Sequence, residues 1–409
     1  MHKINISELK PGMVIIDPKL SWVISPYLYT VPGPVDSEEA IAKIASEGFL
    51  EAYIQDERDI DPLPQPATPE LRPDSTLPKR VSELPAVKRG GFAPPPPQVE
   101  LAEELPKAKA LYEESLRFVG DTLNRYREGS ELPLTEAEPL MDAMLESVTR
   151  NDNAFLVLSK LRHRDEYTYT HSINVAFLSM AFARQLGLGD EAAHRLGMAG
   201  LFHDLGKNLV PDKVLNSPRK LRPDEFDIME QHPRLGLDQL LTVKDIHADV
   251  LEGAFEHHEK FNGQGYPRGL KGEEISLTGR VLSIVDVFDA LTSKRVYKDA
   301  MPMHKALGLI FTQAGTDFQA ELAHIFIKGQ GIYPTGSVVL LSNGVKAVVM
   351  ENSFTTPLMP KIMLVRDASG QRTPPQIIDL KRHKHLTITK LISPEDAMID
   401  PAEVLGLGG

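Results

Sequence analysis

Five of the 13 histidines, His171, His203, His232, His257 and His258, fall at expected element ends or inward faces, and with Asp204 and Asp286 they make seven candidate metal donors. His203 and Asp204 are adjacent at the expected end of a helix, where both can bend toward one point. A lone His-Asp pair is usually a capping or surface pair, so its company decides its meaning. His171 lies within a helix beside the apolar positions Ile173, Val175, Phe177 and Met180. His232 is read as ending a short helix over 224–231, stopped by Pro233. His257, His258 and Glu259 end another helix and lead into a glycine-rich loop. Asp286 follows the largely apolar run 281–285, where an unpaired carboxylate would be costly. The chain has no cysteine, which excludes disulfides, thiolate zinc sites and cysteine nucleophiles. Seven donors exceed one tetrahedral site. They suit two octahedral-leaning divalent metal ions sharing a carboxylate and a water. Imidazole and carboxylate without sulfur favour iron or manganese, and nickel or zinc can bind as well.

Elements must bring these donors together across a long chain. Its 409 residues suggest two or three domains. Residues 62–98 hold 11 of the 32 prolines and read as an extended linker. We therefore divide the sequence into a small α/β N-terminal domain (1–60), a proline-rich linker (61–100), a helical connector (101–150), a nearly all-helical donor-bearing domain (151–333) and a small β appendage (334–409). In the first domain, 3–6 and 13–16 read as strands around a turn at Lys10-Pro11-Gly12. Ser37 caps a helix running to about Ser46. In the connector, Leu101, Leu105, Ala108, Leu111 and Leu116 form one apolar set, as in a packed or homodimerising helix. In the appendage, 337–341, 346–350 and 362–365 alternate as strands, and Asn343-Gly344 signals a hairpin. The basic run 381–385 reads as a surface feature.

Net charge is −12, which argues against a broad surface for nucleic-acid polymers or anionic membranes. No apolar run approaches the ~18 residues of a membrane span. The first residues lack the apolar core of a signal peptide, and the expectation is a cytoplasmic protein.

The donor segment resembles the HD-GYP domains, the subset of the HD phosphohydrolase superfamily that hydrolyses cyclic di-GMP. The resemblance spans 153–326. It is carried by His203-Asp204-Leu205-Gly206-Lys207, by His257-His258-Glu259-Lys260-Phe261-Asn262-Gly263-Gln264-Gly265-Tyr266-Pro267, and by Asp286-Val287-Phe288-Asp289-Ala290-Leu291-Thr292 through Arg295 and Lys298. It implies a mainly α, HD-type helical bundle carrying a metal site. The family's ligand positions match the seven donors above. Its lysine near the scissile phosphate matches Lys207, and its phosphate-holding basic pair matches Arg295 and Lys298. Gly265 and Tyr266 belong to the loop bordering the ligand. Family members with three metals carry a glutamate one helical turn before the first histidine. Here that position is Tyr167, with Glu166 turned elsewhere, so two metals are expected.

The implied reaction is metal-dependent cleavage of cyclic di-GMP to pGpG, GMP or both. Asp204 and Lys207 act at the reacting centre, Lys207 stabilising charge or protonating the leaving 3′ oxygen. Diguanylate cyclase (GGDEF) domains are the partners that the resemblance implies for the 263–267 loop. Competing readings are an HD phosphohydrolase for another nucleotide and a cyclic di-GMP receptor without turnover. Asp289, one turn after Asp286, is either a partner of a ligand or part of the packing.

Overall fold

The computed structural model describes residues 2–15, 28–29, 33–46, 51–54, 84, 97–127, 134–159, 167–217, 219, 221–293, 300–352, 356 and 358–406. These divide into two compact units, one of residues 1–71 with 210–231 and one of 72–209 with 232–409.

The first unit begins with β1 (His2–Asn5), β2 (Val14–Ile15), β3 (Leu28–Tyr29), β4 (Gly33–Pro34), α1 (Glu38–Ser46) and β5 (Glu51–Ile54). The two expected strands form, but not as a hairpin. The order is β1-β5-β2-β4, so β5 lies between them, and β3 pairs β5 in parallel. The Ser37 hydroxyl accepts from the Ala40 amide and starts α1. Ile6, Leu9, Ile15, Val35, Ile44, Ala52 and Ile54 form the core.

The second unit starts with the connector, which is two helices, α2 (Leu101–Arg127) and α3 (Leu134–Asn151). The buried stripe of α2 runs Leu101, Leu105, Ala108, Tyr112, Ser115 and Val119. Leu111 and Leu116 are only partly buried, so the expected apolar set is corrected at these two positions. The reason is periodic. Steps of three and four from Ala108 reach Tyr112, Ser115 and Val119, and polar Ser115 holds the inner line by donating to the Leu111 carbonyl. Glu104, fully buried, clamps α2 to α3: it accepts from Ser147 Oγ at 2.6 Å, Arg150 Nε at 2.7 Å and Arg150 Nη2 at 2.9 Å.

The helical bundle follows as α4 (Asn153–Leu158), α5 (Tyr167–Leu186) and α6 (Asp190–Phe202), then a tight helical turn over Leu205–Leu209. α7 (Asp212–Leu215) and α8 (Pro223–Met229) lie in the 210–231 segment of the first unit. The bundle resumes with α9 (His232–Leu240), α10 (Ala248–Glu256), α11 (Leu277–Thr292), α12 (Met303–Thr312) and α13 (Ala320–Gln330). Phe155 stacks on Phe177 at 4.7 Å, and Phe182 meets Phe326 edge-on at 5.0 Å. Among the described residues no helix is long and apolar enough to cross a membrane.

The appendage is an antiparallel sheet of β6 (Val338–Leu341), β7 (Lys346–Glu351), β8 (Lys361–Arg366), β9 (Arg372–Asp379) and β10 (Ile388–Ile392), ordered β10-β6-β7-β8-β9. The Asn343-Gly344 turn closes its first hairpin, with Gly344 at φ 83°. Two short helices follow, α14 (Pro394–Ala397) and α15 (Pro401–Val404). The fold is thus mainly α, with small sheets toward both ends of the chain.

The Glu104 clamp gives a stability test. Arg150→Met strands a buried carboxylate, and removing one partner of such a pair costs about 3–5 kcal/mol. The urea midpoint of the helical unit should fall accordingly, and Glu104→Gln added to Arg150→Met should recover part of the loss.

Candidate metal centre

The seven donors, drawn from positions 171–286, converge in the second unit because helix ends meet there. His171 lies in the second turn of α5, His203 caps the C-terminus of α6, and Asp204 follows it. His257 caps α10, with His258 next, and Asp286 sits within α11. His232 departs from expectation: it opens α9 rather than ending the preceding helix, which stops at Met229. Pro233 does not break a helix here. It occupies the first turn, where its missing amide hydrogen has no helical partner to lose. Gly206 makes the approach possible. A Cβ there would fall 2.0 Å from the His232 carbonyl oxygen, so only glycine lets the turn after Asp204 lie against the start of α9.

Asp204 is the centre of the arrangement. Its Oδ1 faces His232 Nε2 at 3.4 Å and His257 Nε2 at 3.6 Å. Its Oδ2 faces His203 Nε2 at 3.3 Å, His171 Nε2 at 3.6 Å and Lys207 Nζ at 2.6 Å. Two groups of donor atoms, each within 4.8 Å of one another, share this residue: Asp204 with His232, His257 and His258, and Asp204 with His171 and His203. Asp286 Oδ1 joins the second, 3.1 Å from His171 Nε2 and 3.9 Å from His203 Nε2.

The ring orientations show what the cluster fits. His203 Nδ1 lies 2.7 Å from the Gly200 carbonyl, and His257 Nδ1 lies 3.0 Å from that of Ala254. A carbonyl only accepts, so both rings carry their proton on Nδ1 when neutral and turn the Nε2 lone pair inward. Burial pushes His257 down to about 4, so it is neutral at pH 7. Its lone pair then faces His232 Nε2 at 3.3 Å and a carboxylate oxygen. His203 Nε2 and Asp204 Oδ1 are buried without a hydrogen-bond partner. Inward lone pairs and carboxylate oxygens repel one another unless a cation sits among them, so this donor set fits bound divalent metal. Burial opposes the charge on Asp204, but His203 in its doubly protonated, metal-free form and Lys207 hold its carboxyl well below the usual range.

Outer contacts fix the donors. His171 donates Nδ1–H to Asp289 Oδ2 at 2.8 Å. Asp289 also accepts from Asn174 Nδ2 at 3.0 Å and Ser293 Oγ at 3.0 Å. Asp289 is therefore a partner of His171 and a packing element at once. Asn174 lies three residues after His171, on the same helix face, and that spacing is the signal that could have found it.

The 263–267 loop borders the cluster. Tyr266 stacks on His258, ring centroids 4.8 Å apart. A Cβ on Gly265 would fall 2.2 Å from the Lys260 amide nitrogen, which gives this glycine a packing reason. Glu259, unassigned from sequence, pins the loop by accepting from the Arg268 and Leu270 amides at 2.8 and 2.9 Å. Arg295 and Lys298 lie outside the described residues, as does Glu166. Tyr167 opens α5, and its side chain is not described.

Comparison with known proteins adds three family matches. An HD domain matches 153–322, a domain of unknown function (DUF3391) matches 1–137, and a KOW domain associated with HD domain matches 338–398. The chain is 33% identical over 383 residues to the cyclic di-GMP phosphodiesterase PA4108 of Pseudomonas aeruginosa, covering 93% of this chain and 89% of that one. It is 34% identical over 229 residues to the cyclic di-GMP phosphodiesterase response regulator RpfG of Xanthomonas campestris pv. campestris, covering 54% and 60%. It is 35% identical over 159 residues to 3′3′-cGAMP-specific phosphodiesterase 1 of Vibrio cholerae, covering 38% and 36%.

Metal uptake should be coupled to proton release. Burial lowers the basicity of His171, but its bonds to Asp286 and Asp289 outweigh this and raise it to about 9. At pH 7, below that value, metal-free His171 holds a proton that ligation must displace. Calorimetric titration with Mn(II) in buffers of different ionisation enthalpy should show about one proton released at pH 7. Affinity should weaken as pH falls.

Proposed function

This chain belongs to the HD-domain family that includes the cyclic di-GMP phosphodiesterase PA4108 of Pseudomonas aeruginosa, and from that premise we propose that it hydrolyses cyclic di-GMP with two divalent metal ions, opening the ring to pGpG or on to GMP. The observation that carries the proposal is the division of labour at Asp204, whose two oxygens face two separate groups of imidazoles. That is the geometry a bridging carboxylate needs. In this reading His232, His257 and His258 complete one site, and His171, His203 and Asp286 complete the other, for iron or manganese. Divalent metal held by these residues would supply an acidified water as nucleophile and draw charge from the phosphate oxygens.

The remaining work falls to the chain's own groups. Lys207, partly exposed, places its ammonium beside Asp204, where it stabilises the developing phosphorane charge or protonates the leaving 3′ oxygen. Tyr266 and Gly265 border the ligand, and the Tyr266 ring is braced from behind by His258. Arg295 and Lys298 are assigned to the phosphate that does not react. The outer edge of the 263–267 loop is the proposed meeting place for a diguanylate cyclase (GGDEF) domain. Cyclic di-GMP is proposed ahead of other cyclic dinucleotides because PA4108, similar over 93% of the chain, carries that substrate in its name.

Incubation of the Mn(II)- or Fe(II)-loaded protein with cyclic di-GMP, 3′3′-cGAMP and cyclic di-AMP in parallel, with products resolved by chromatography, tests the substrate. Linear pGpG or GMP from cyclic di-GMP at the highest kcat/KM is expected, and a faster reaction with either other ring overturns the assignment.

Variants separate the roles. Asp204→Ala should abolish turnover and lower bound metal while helical content is kept. Lys207→Met should keep its metal and lower kcat by about 100-fold or more, the scale of a general acid. A fully metallated, active Asp204→Ala protein would remove the bridging role.

A further inference from the structure

We propose that Tyr112 of α2 is a positioning residue for the metal centre, acting on His171 through Asn174 and Asp289. α2 lies outside the HD match at 153–322 and inside the DUF3391 match at 1–137, yet it reaches the centre by an unbroken chain of buried hydrogen bonds. The Tyr112 hydroxyl donates to Asn174 Oδ1 at 3.1 Å. Asn174 Nδ2 donates to Asp289 Oδ1 at 3.0 Å, and Asp289 Oδ2 accepts from His171 Nδ1 at 2.8 Å. All four residues are buried.

The chemistry fixes the direction of each link. An ionised carboxylate only accepts, so Asn174 must turn its amide nitrogen to Asp289 and hence its carbonyl toward α2. The group facing that carbonyl must donate. A tyrosine hydroxyl does so, and phenylalanine cannot. With Asn174 held, Asp289 keeps one oxygen on Asn174 and offers the other to His171. His171 is thereby locked with Nδ1 protonated and Nε2 toward Asp204 and Asp286, the orientation a ligand needs.

α2 makes a second contact of the same kind. Tyr126, 14 residues or about 21 Å further along the helix, hydrogen-bonds Gln239 on α9, the helix that His232 opens. One connector helix thus touches the elements that supply both donor groups.

This role presupposes the metal reading above, and the test keeps the two apart. Metal-free full-length wild type, Tyr112→Phe, Asn174→Ala, the double variant and Val119→Ala are titrated with Mn(II) by calorimetry, and their thermal unfolding is recorded. Outer partners of a ligating histidine govern affinity by roughly 10- to 100-fold. Tyr112, further out, should weaken one of the two sites by about 3- to 10-fold and leave the other within twofold. The double variant should be no weaker than Asn174→Ala alone, since both cut one chain. Val119→Ala, on the same buried face of α2, should lower the melting temperature without changing either site. Unchanged isotherms for Tyr112→Phe, or an equal loss of affinity in Val119→Ala, would overturn the positioning role. A wild-type chain that takes up no metal would instead sink the functional reading on which it rests.

Discussion

One carboxylate organises this protein. Asp204 is withdrawn from water and surrounded by imidazoles of which at least two turn lone pairs inward, an arrangement that a protein interior does not tolerate by itself. It persists because Lys207 and, without metal, protonated His171 supply positive charge beside it, in a donor set whose spacing suits a cation. The folding of the bundle follows from that requirement. Three helices end or begin at this cluster, α6 and α10 with their C-termini and α9 with its N-terminus, and a glycine, Gly206, is what lets the turn after Asp204 lie against the start of α9.

Much of this could be read in the residues alone, and what could not has identifiable causes. Donor types and their positions at the ends of periodic segments pointed to one cluster, and the structure brings the seven together. The sense of His232 was misread because proline was taken as a stop; a proline in the first turn starts a helix equally well, and only the neighbouring end of α8 decides. In α2, Leu111 and Leu116 looked like the buried face because hydrophobicity was weighed above period, whereas Ser115 is inside by virtue of a bond to its own backbone. β9 escaped notice because Pro374 and Pro375 lie within it. It is an edge strand, and the two prolines lie where its pairing with β8 is interrupted by the irregularity between Leu364 and Arg366, so their missing amides cost no ladder bond. Tyr112 carried no local signal at all, its partner being 62 residues away.

Family boundaries and physical boundaries also differ in this chain. The match over 1–137 runs from the first compact unit into α2, which is built into the second by the Glu104 clamp and by Asn174. A segment shared among relatives as one module is therefore split here between a small sheet and the support of a catalytic bundle. In this chain part of the former is structural to the latter.

The reach of the His171–Asp289 bond has a consequence for how the protein is made. It closes a loop of 118 residues, and such closures carry an entropic cost that only later contacts offset. A chain synthesised from its N-terminus presents His171 and His203 as ordinary, solvated imidazoles long before Asp286 and Asp289 exist to orient them. A metal ion that needs the complete donor set would therefore meet it only once residue 286 has been made and the bundle has closed around it.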